Sequence, residues 1–118
     1  MRDKFKIIIS VGDESGIGPE IILKALNSTE IPNNVDFIIV GSKNNLENTY
    51  KNLKSLGVEN IADPNNYKIY DLKIPYKINK QKISNGNASF LYLKKAIEIV
   101  RKYSNAALVT GPICKKSW

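Results

Sequence analysis

Apolar and polar positions along the chain alternate between short aliphatic runs and longer stripes spaced at three to four residues. Phe5-Lys6-Ile7-Ile8-Ile9, within Lys4 to Val11, and Val35-Asp36-Phe37-Ile38-Ile39-Val40-Gly41 are β-branched runs that predict buried strands of a parallel sheet. Between them, Pro19 to about Ser28 predicts a helix with Ile22, Leu23, Ala25 and Leu26 on its apolar face. Ile31-Pro32-Asn33-Asn34 supplies the turn that follows. Lys43 to Leu56 predicts a second helix, with Leu46, Tyr50, Leu53 and Leu56 on one stripe and Gly57 as its stop. Asn60 to Asn87 is irregular and lysine-rich, an exposed loop or an excursion with antiparallel pieces sooner than a dedicated anion site, with short strands expected at Tyr67–Leu72 and Ile74–Ile78. Ala88 to about Tyr103 predicts a third helix, lined by Phe90, Leu93, Ala96, Ile97 and Val100, which leads into a third buried strand, Ala106–Thr110. The expected fold class is α/β, an open and mostly parallel sheet with flanking helices joined by right-handed crossovers.

Two loops stand just past the carboxyl ends of predicted strands, where ligands sit in open α/β sheets. The first, Gly12-Asp13-Glu14-Ser15-Gly16-Ile17-Gly18-Pro19-Glu20, carries three glycines and opens into a helix. Glycine permits a positive φ, and Pro19 suits a first helical position. Free N–H groups at a helix start favour a phosphate, a carboxylate or a cofactor edge. By spacing alone this is neither the dinucleotide fingerprint nor the phosphate loop, and an ordinary strand-to-helix turn would read the same. The second loop is Gly111-Pro112-Ile113-Cys114-Lys115.

Composition narrows the chemistry. The 118 residues, 42% hydrophobic and 25% charged, suit one small globular α/β segment. A net charge of +7 raises nucleic-acid binding, but the lysines are spread along the length without interleaved aromatic residues, so no nucleic-acid partner is expected. No apolar run reaches the roughly 20 residues of a membrane span, and the single cysteine, Cys114, fits a reducing cytoplasm. Cys114 beside two lysines reads as a packing thiol or as one with a lowered pKa. Histidine is absent, which removes Ser-His and Cys-His nucleophilic pairs and leaves no clustered metal-ligand spacing. The expected site therefore has no catalytic residue and no metal ligand in this chain.

Ser10 to Ile21 resembles the G-D-P-A-G-I-G-P-E opening of the 4-hydroxythreonine-4-phosphate dehydrogenases of pyridoxal phosphate biosynthesis, with Glu14 and Ser15 in place of Pro and Ala. It is also similar to the G-D-G-I-G-P-E stretch of isocitrate and isopropylmalate dehydrogenases. Ala107-Leu108-Val109-Thr110-Gly111-Pro112-Ile113 followed by Lys115 resembles a second stretch of the first family, A-L-V-T-G-P-I-x-K, with Cys114 where His or Asn is usual. The resemblance implies an isocitrate/isopropylmalate-like fold of which residues 1–118 form the amino-terminal part, cut short. It implies NAD-dependent oxidation and decarboxylation of 4-phosphooxy-L-threonine, a divalent metal held by histidines beyond these residues, a cytoplasmic enzyme, and a homodimer for the full-length family. Gly12, Asp13, Gly16 and Gly18 are then the expected cofactor-binding residues, and Thr110, Gly111 and Lys115 the substrate neighbours. The alternatives are a non-catalytic remnant or binding module, and a family dehydrogenase for another phosphorylated hydroxy acid.

Overall fold

The computed structural model describes residues 4–12, 17–28, 30–73, 77–78, 81–82 and 85–112, with the side chains of 77–87 outside that description. The chain runs β1 (Phe5–Ser10), α1 (Gly18–Leu26), β2 (Val35–Gly41), α2 (Lys43–Ser55), a short 3-10 turn at Pro64–Asn66, β3 (Lys68–Asp71), β4 (Lys77–Ile78), β5 (Gln81–Lys82), α3 (Asn85–Val100) and β6 (Ala106–Thr110). Four of the strands form one sheet in the order β3-β2-β1-β6, all pairs parallel. This is the open parallel α/β architecture expected from the alternating pattern.

The aliphatic runs of β1 and β2 occupy the centre because both of their faces must be covered, and Ile8, Ile39 and Val40 are fully buried. Register pairs Ile8 with Ile38 and Leu108, and Ser10 with Val40 and Thr110, so the carboxyl ends of the central strands finish together. The helices pack on opposite faces. α1 lies beside α2, and α3 lies across β1, β2 and β6. On the α3 face, Lys6 sits over the Tyr103 ring at 5.6 Å and Lys95 over the Tyr70 ring at 5.1 Å.

α2 starts where Ser42 takes the cap, its hydroxyl accepting from the Asn45 N–H at 3.2 Å, while the Asp71 carboxylate accepts from the Lys43 N–H at 3.1 Å. It ends before Gly57, whose φ of 86° is the left-handed stop expected there.

Several expectations are corrected. Tyr67–Leu72 does not belong to an antiparallel excursion: β3 joins the main sheet in parallel with β2, as a fourth strand. The expected Ile74–Ile78 strand is represented by Lys77–Ile78, which pairs antiparallel with Gln81–Lys82, and residues 74–76 lie outside the described residues. β6 is an edge strand rather than a buried one, with Val109 48% exposed. Ala25 is exposed, and Leu56, at 79% exposure, follows α2 as its C-cap instead of extending its buried stripe.

α3 buries a different face from the one its aliphatic residues suggest. Ala88, Ser89, Tyr92, Ala96 and Ile99 face the core, whereas Phe90 is 50% exposed and Leu93, Ile97 and Val100 are only half-buried. The small residues Ala88, Ser89 and Ala96 let the helix approach the sheet closely, and the Tyr92 ring fills the space between them. A helix apolar on two sides gives periodicity two solutions, and side-chain size selects one.

Candidate functional site

The strand order places β2 on one side of β1 and β6 on the other, so the chain winds outward through β3 and then returns across β1. The gap past the carboxyl ends of β1 and β6 is therefore the topological switch point of the sheet, where doubly wound folds bind ligands. Both glycine loops singled out in the sequence leave from this point.

They meet there backbone to backbone. The Gly111 N–H donates to the Ser10 carbonyl at 2.8 Å, extending the β1–β6 pairing one step beyond the strands. A Cβ on Gly12 would fall on the Pro112 carbonyl, 2.7 Å from its carbon, and 2.8 Å from the Gly111 carbonyl carbon. A Cβ on Gly111 would stand 2.8 Å from the Gly12 nitrogen. Both glycines are buried. Among the described glycines only Gly57 has a positive φ, so Gly12 is required for close chain approach and not for the left-handed backbone expected of it. Gly41 makes a similar approach next door, where a Cβ would lie 2.6 Å from a Val11 methyl.

Gly18 is the first residue of α1 and is buried with Pro19, while Ile17 at the N-cap offers no side-chain hydrogen bond. Among the described residues, then, no side chain caps the start of α1, next to the crossing. Its first turn also holds Glu20, whose carboxylate accepts from Lys24 at 3.1 Å on the exposed surface. Thr110 is exposed at the end of β6, paired in register with Ser10. Asp13, Gly16, Cys114 and Lys115 lie outside the described residues.

One group at the crossing escaped the sequence reading. Ser10 closes an otherwise aliphatic strand, is 1% exposed, and its hydroxyl has no hydrogen-bond partner among the described residues. Strand alternation puts it on the face of Ile8, toward α3. The sequence signal was a single serine at the carboxyl end of a strand, which is common enough in surface turns to attract no notice.

Among the described residues no group of His, Cys, Asp and Glu is placed to hold a metal ion. The donor set of the described residues does not fit a divalent metal.

A parallel sheet with strands on both sides of β1, flanked by helices, with two glycine loops crossing at its switch point, defines an α/β protein of the doubly wound class. Residues 33–118 match the family model described as pyridoxal phosphate biosynthetic protein PdxA, and the chain belongs to that family.

Similarity to curated relatives extends over the first loop as well. The chain is 40% identical over 122 residues to a 4-hydroxythreonine-4-phosphate dehydrogenase of Nostoc sp., covering 96% of this chain and 33% of that protein. It is 32% identical to a putative D-threonate 4-phosphate dehydrogenase of Fusobacterium nucleatum, covering 95% of this chain and 37% of that one. Its fold is that of a 4-hydroxythreonine-4-phosphate dehydrogenase from Burkholderia phymatum, with a TM-score of 0.70 at 21% identity over 98% of this chain and 38% of that structure. The chain spans about a third of the length of the curated relatives it matches.

Proposed function

We propose that these residues form the switch-point half of an NAD-dependent dehydrogenase that oxidises and decarboxylates 4-phosphooxy-L-threonine to 3-amino-2-oxopropyl phosphate in vitamin B6 biosynthesis. The observation that carries the reading is the meeting of the two loops at Gly12 and Gly111, past the carboxyl ends of β1 and β6. NAD, when bound, supplies the hydride acceptor. Gly12, Asp13, Gly16 and Gly18 are the residues assigned to it, and the start of α1, which no described side chain caps, favours its phosphates. Thr110, Gly111 and Lys115 are the residues assigned to the substrate, the charge of Lys115 suiting a phosphate. The backbone crossing sets the separation of the two loops, so it orients cofactor and substrate relative to one another.

The 118 residues supply no acid–base histidine and no metal-holding cluster among the described residues, so this chain alone binds and orients without completing the reaction. The Fusobacterium relative supports a second reading, in which the substrate is another phosphorylated hydroxy acid.

Titration calorimetry of the folded chain tests the proposal with NAD, and with phosphorylated hydroxythreonine or D-threonate 4-phosphate plus a divalent metal. Saturable NAD binding weakened by Gly12→Ala is the expected result. Binding of NAD that ignores this substitution would remove the crossing from the site. Binding without turnover, even when the rest of the family fold is supplied, would make the chain a binding module.

A further inference from the structure

At the amino ends of β1, β2 and β3 lies a cavity of about 490 Å³, whose lining includes Lys6, Asp36, Ile38, Tyr67, Lys68 and Tyr103. Register pairs Lys6 with Asp36 and Ile38 with Lys68, and strand alternation puts these four on the face that carries α3. Tyr103, just past the end of α3, joins them. Ser10, at the crossing, stands four residues further along β1, about 13 Å away at about 3.3 Å per residue. The two places are separate. The Lys6 side chain is 21% exposed, and its ammonium is held 3.3 Å from the Asp36 carboxylate and 5.6 Å from the centre of the Tyr103 ring. Lys4 reaches the same carboxylate at 3.6 Å. Lys68 is exposed and makes no ion pair among the described residues. Two ammonium groups against one carboxylate leave this lining one positive charge in excess. Tyr67 is fixed in place, since its hydroxyl donates to the Leu26 carbonyl at 3.1 Å and its ring meets that of Phe37 edge-on at 6.3 Å. The volume falls within the roughly 300–1,000 Å³ of small-molecule sites.

We propose that this cavity binds a small aromatic monoanion, a single flat ring carrying one carboxylate. Lys68 supplies the unmatched charge. Lys6 keeps donor capacity, because an ammonium carries three N–H groups and Asp36 takes one of them. The buried Ile38 and the two tyrosine rings give the flat ring an apolar seat with edge-to-face contacts. A dianion would find only one excess charge in this lining, and an aliphatic acid would forgo the ring contacts. None of the lining residues belongs to the crossing, so the proposal does not rest on the dehydrogenase reading.

The test titrates the isotopically labelled 118-residue chain with benzoate and follows its amide chemical shifts. Saturable shifts at Lys6, Tyr67, Lys68 and Tyr103 are expected, with Gly12 and Gly18 unmoved. Cyclohexanecarboxylate, with the same charge and no flat ring, should bind at least fivefold more weakly, and benzyl alcohol, with the ring and no charge, should not saturate. Lys68→Met, on an exposed residue, should weaken benzoate at least fivefold, and Tyr103→Leu should do the same. Lys51→Met, which removes the same charge from an exposed position on α2, should leave the affinity unchanged. The amide spectrum away from the cavity reports that each variant is folded, and Lys68→Met decides the matter if Tyr103→Leu is not. Absence of saturable shifts, shifts centred on Gly12 and Gly18, equal binding of cyclohexanecarboxylate, or an affinity that ignores Lys68→Met would each overturn the proposal.

Discussion

Adding one methyl group at Gly12 is the sharpest perturbation of this molecule. The new Cβ would fall on the Pro112 carbonyl, 2.7 Å from its carbon and 2.8 Å from that of Gly111, whereas ordinary contact begins at 3.4 Å. All of these neighbours are backbone, so no side chain can rotate away. Relief requires the Gly111–Pro112 segment to shift off β1, which stretches the 2.8 Å bond from the Gly111 N–H to the Ser10 carbonyl. Overpacking of this kind costs about 1–3 kcal/mol, and losing the hydrogen bond adds about 1 kcal/mol. Gly12→Ala should therefore destabilise by about 3 kcal/mol, a large share of the roughly 5–15 kcal/mol available to a domain. A lowering of Tm by roughly 10–15 °C follows for a chain of this size. Circular dichroism melts and urea titration read it directly. Gly57→Ala is the control: nothing lies within 4 Å of the added atom, and its φ of 86° leaves only the left-handed penalty, about 1–2 kcal/mol. A Gly12→Ala variant within 0.5 kcal/mol of the parent, by the usual scatter of neutral substitutions, would refute the close crossing.

Three further outcomes are expected. Ser10→Ala deletes a buried hydroxyl with no partner among the described residues, so it should be neutral or stabilising; a loss above about 1.5 kcal/mol in urea titration would mean that the hydroxyl is bonded. Ser42→Ala removes the cap on the Asn45 N–H and should cost about 1 kcal/mol, with the fraying confined to α2 in hydrogen exchange. The Lys95 ammonium is held above its ordinary pKa of 10.5 by its hydrogen bond to Glu98 and then by Tyr70. Its contribution to stability is therefore complete below 10.5 and fades as pH climbs through the raised value, so melts of Lys95→Met and parent should converge only in strongly alkaline solution.

The central strands and the first two helices were legible because burial on two faces leaves continuous aliphatic runs, and Gly57 and Ser42 punctuate α2 in their usual roles. The lateral position of a strand leaves a weaker mark. β3 is four residues of mixed character, Lys-Ile-Tyr-Asp, and only its pairing with Ile38–Gly41 makes it part of the sheet. β6 reads as buried by composition, Ala-Ala-Leu-Val-Thr, yet stands at the edge. α3 misled because aliphatic residues occupy both of its sides, and the core took the face with small residues and Tyr92. At the candidate site the two glycine loops were visible as motifs. That their glycines exist for each other's backbone depends on strands far apart in sequence becoming neighbours, which no local pattern encodes.

The central claim is that the crossing of the two loops is a nucleotide-binding cleft. Amide chemical shifts of the isotopically labelled chain, followed while NAD is added, test it most directly. Saturable shifts centred on the cofactor-side residues Gly12 and Gly18 are the predicted result. Shifts centred instead on the cavity of about 490 Å³ at the amino ends of the strands, lined by Lys6, Asp36, Tyr67 and Tyr103, or no saturable shifts in a folded sample, would contradict it.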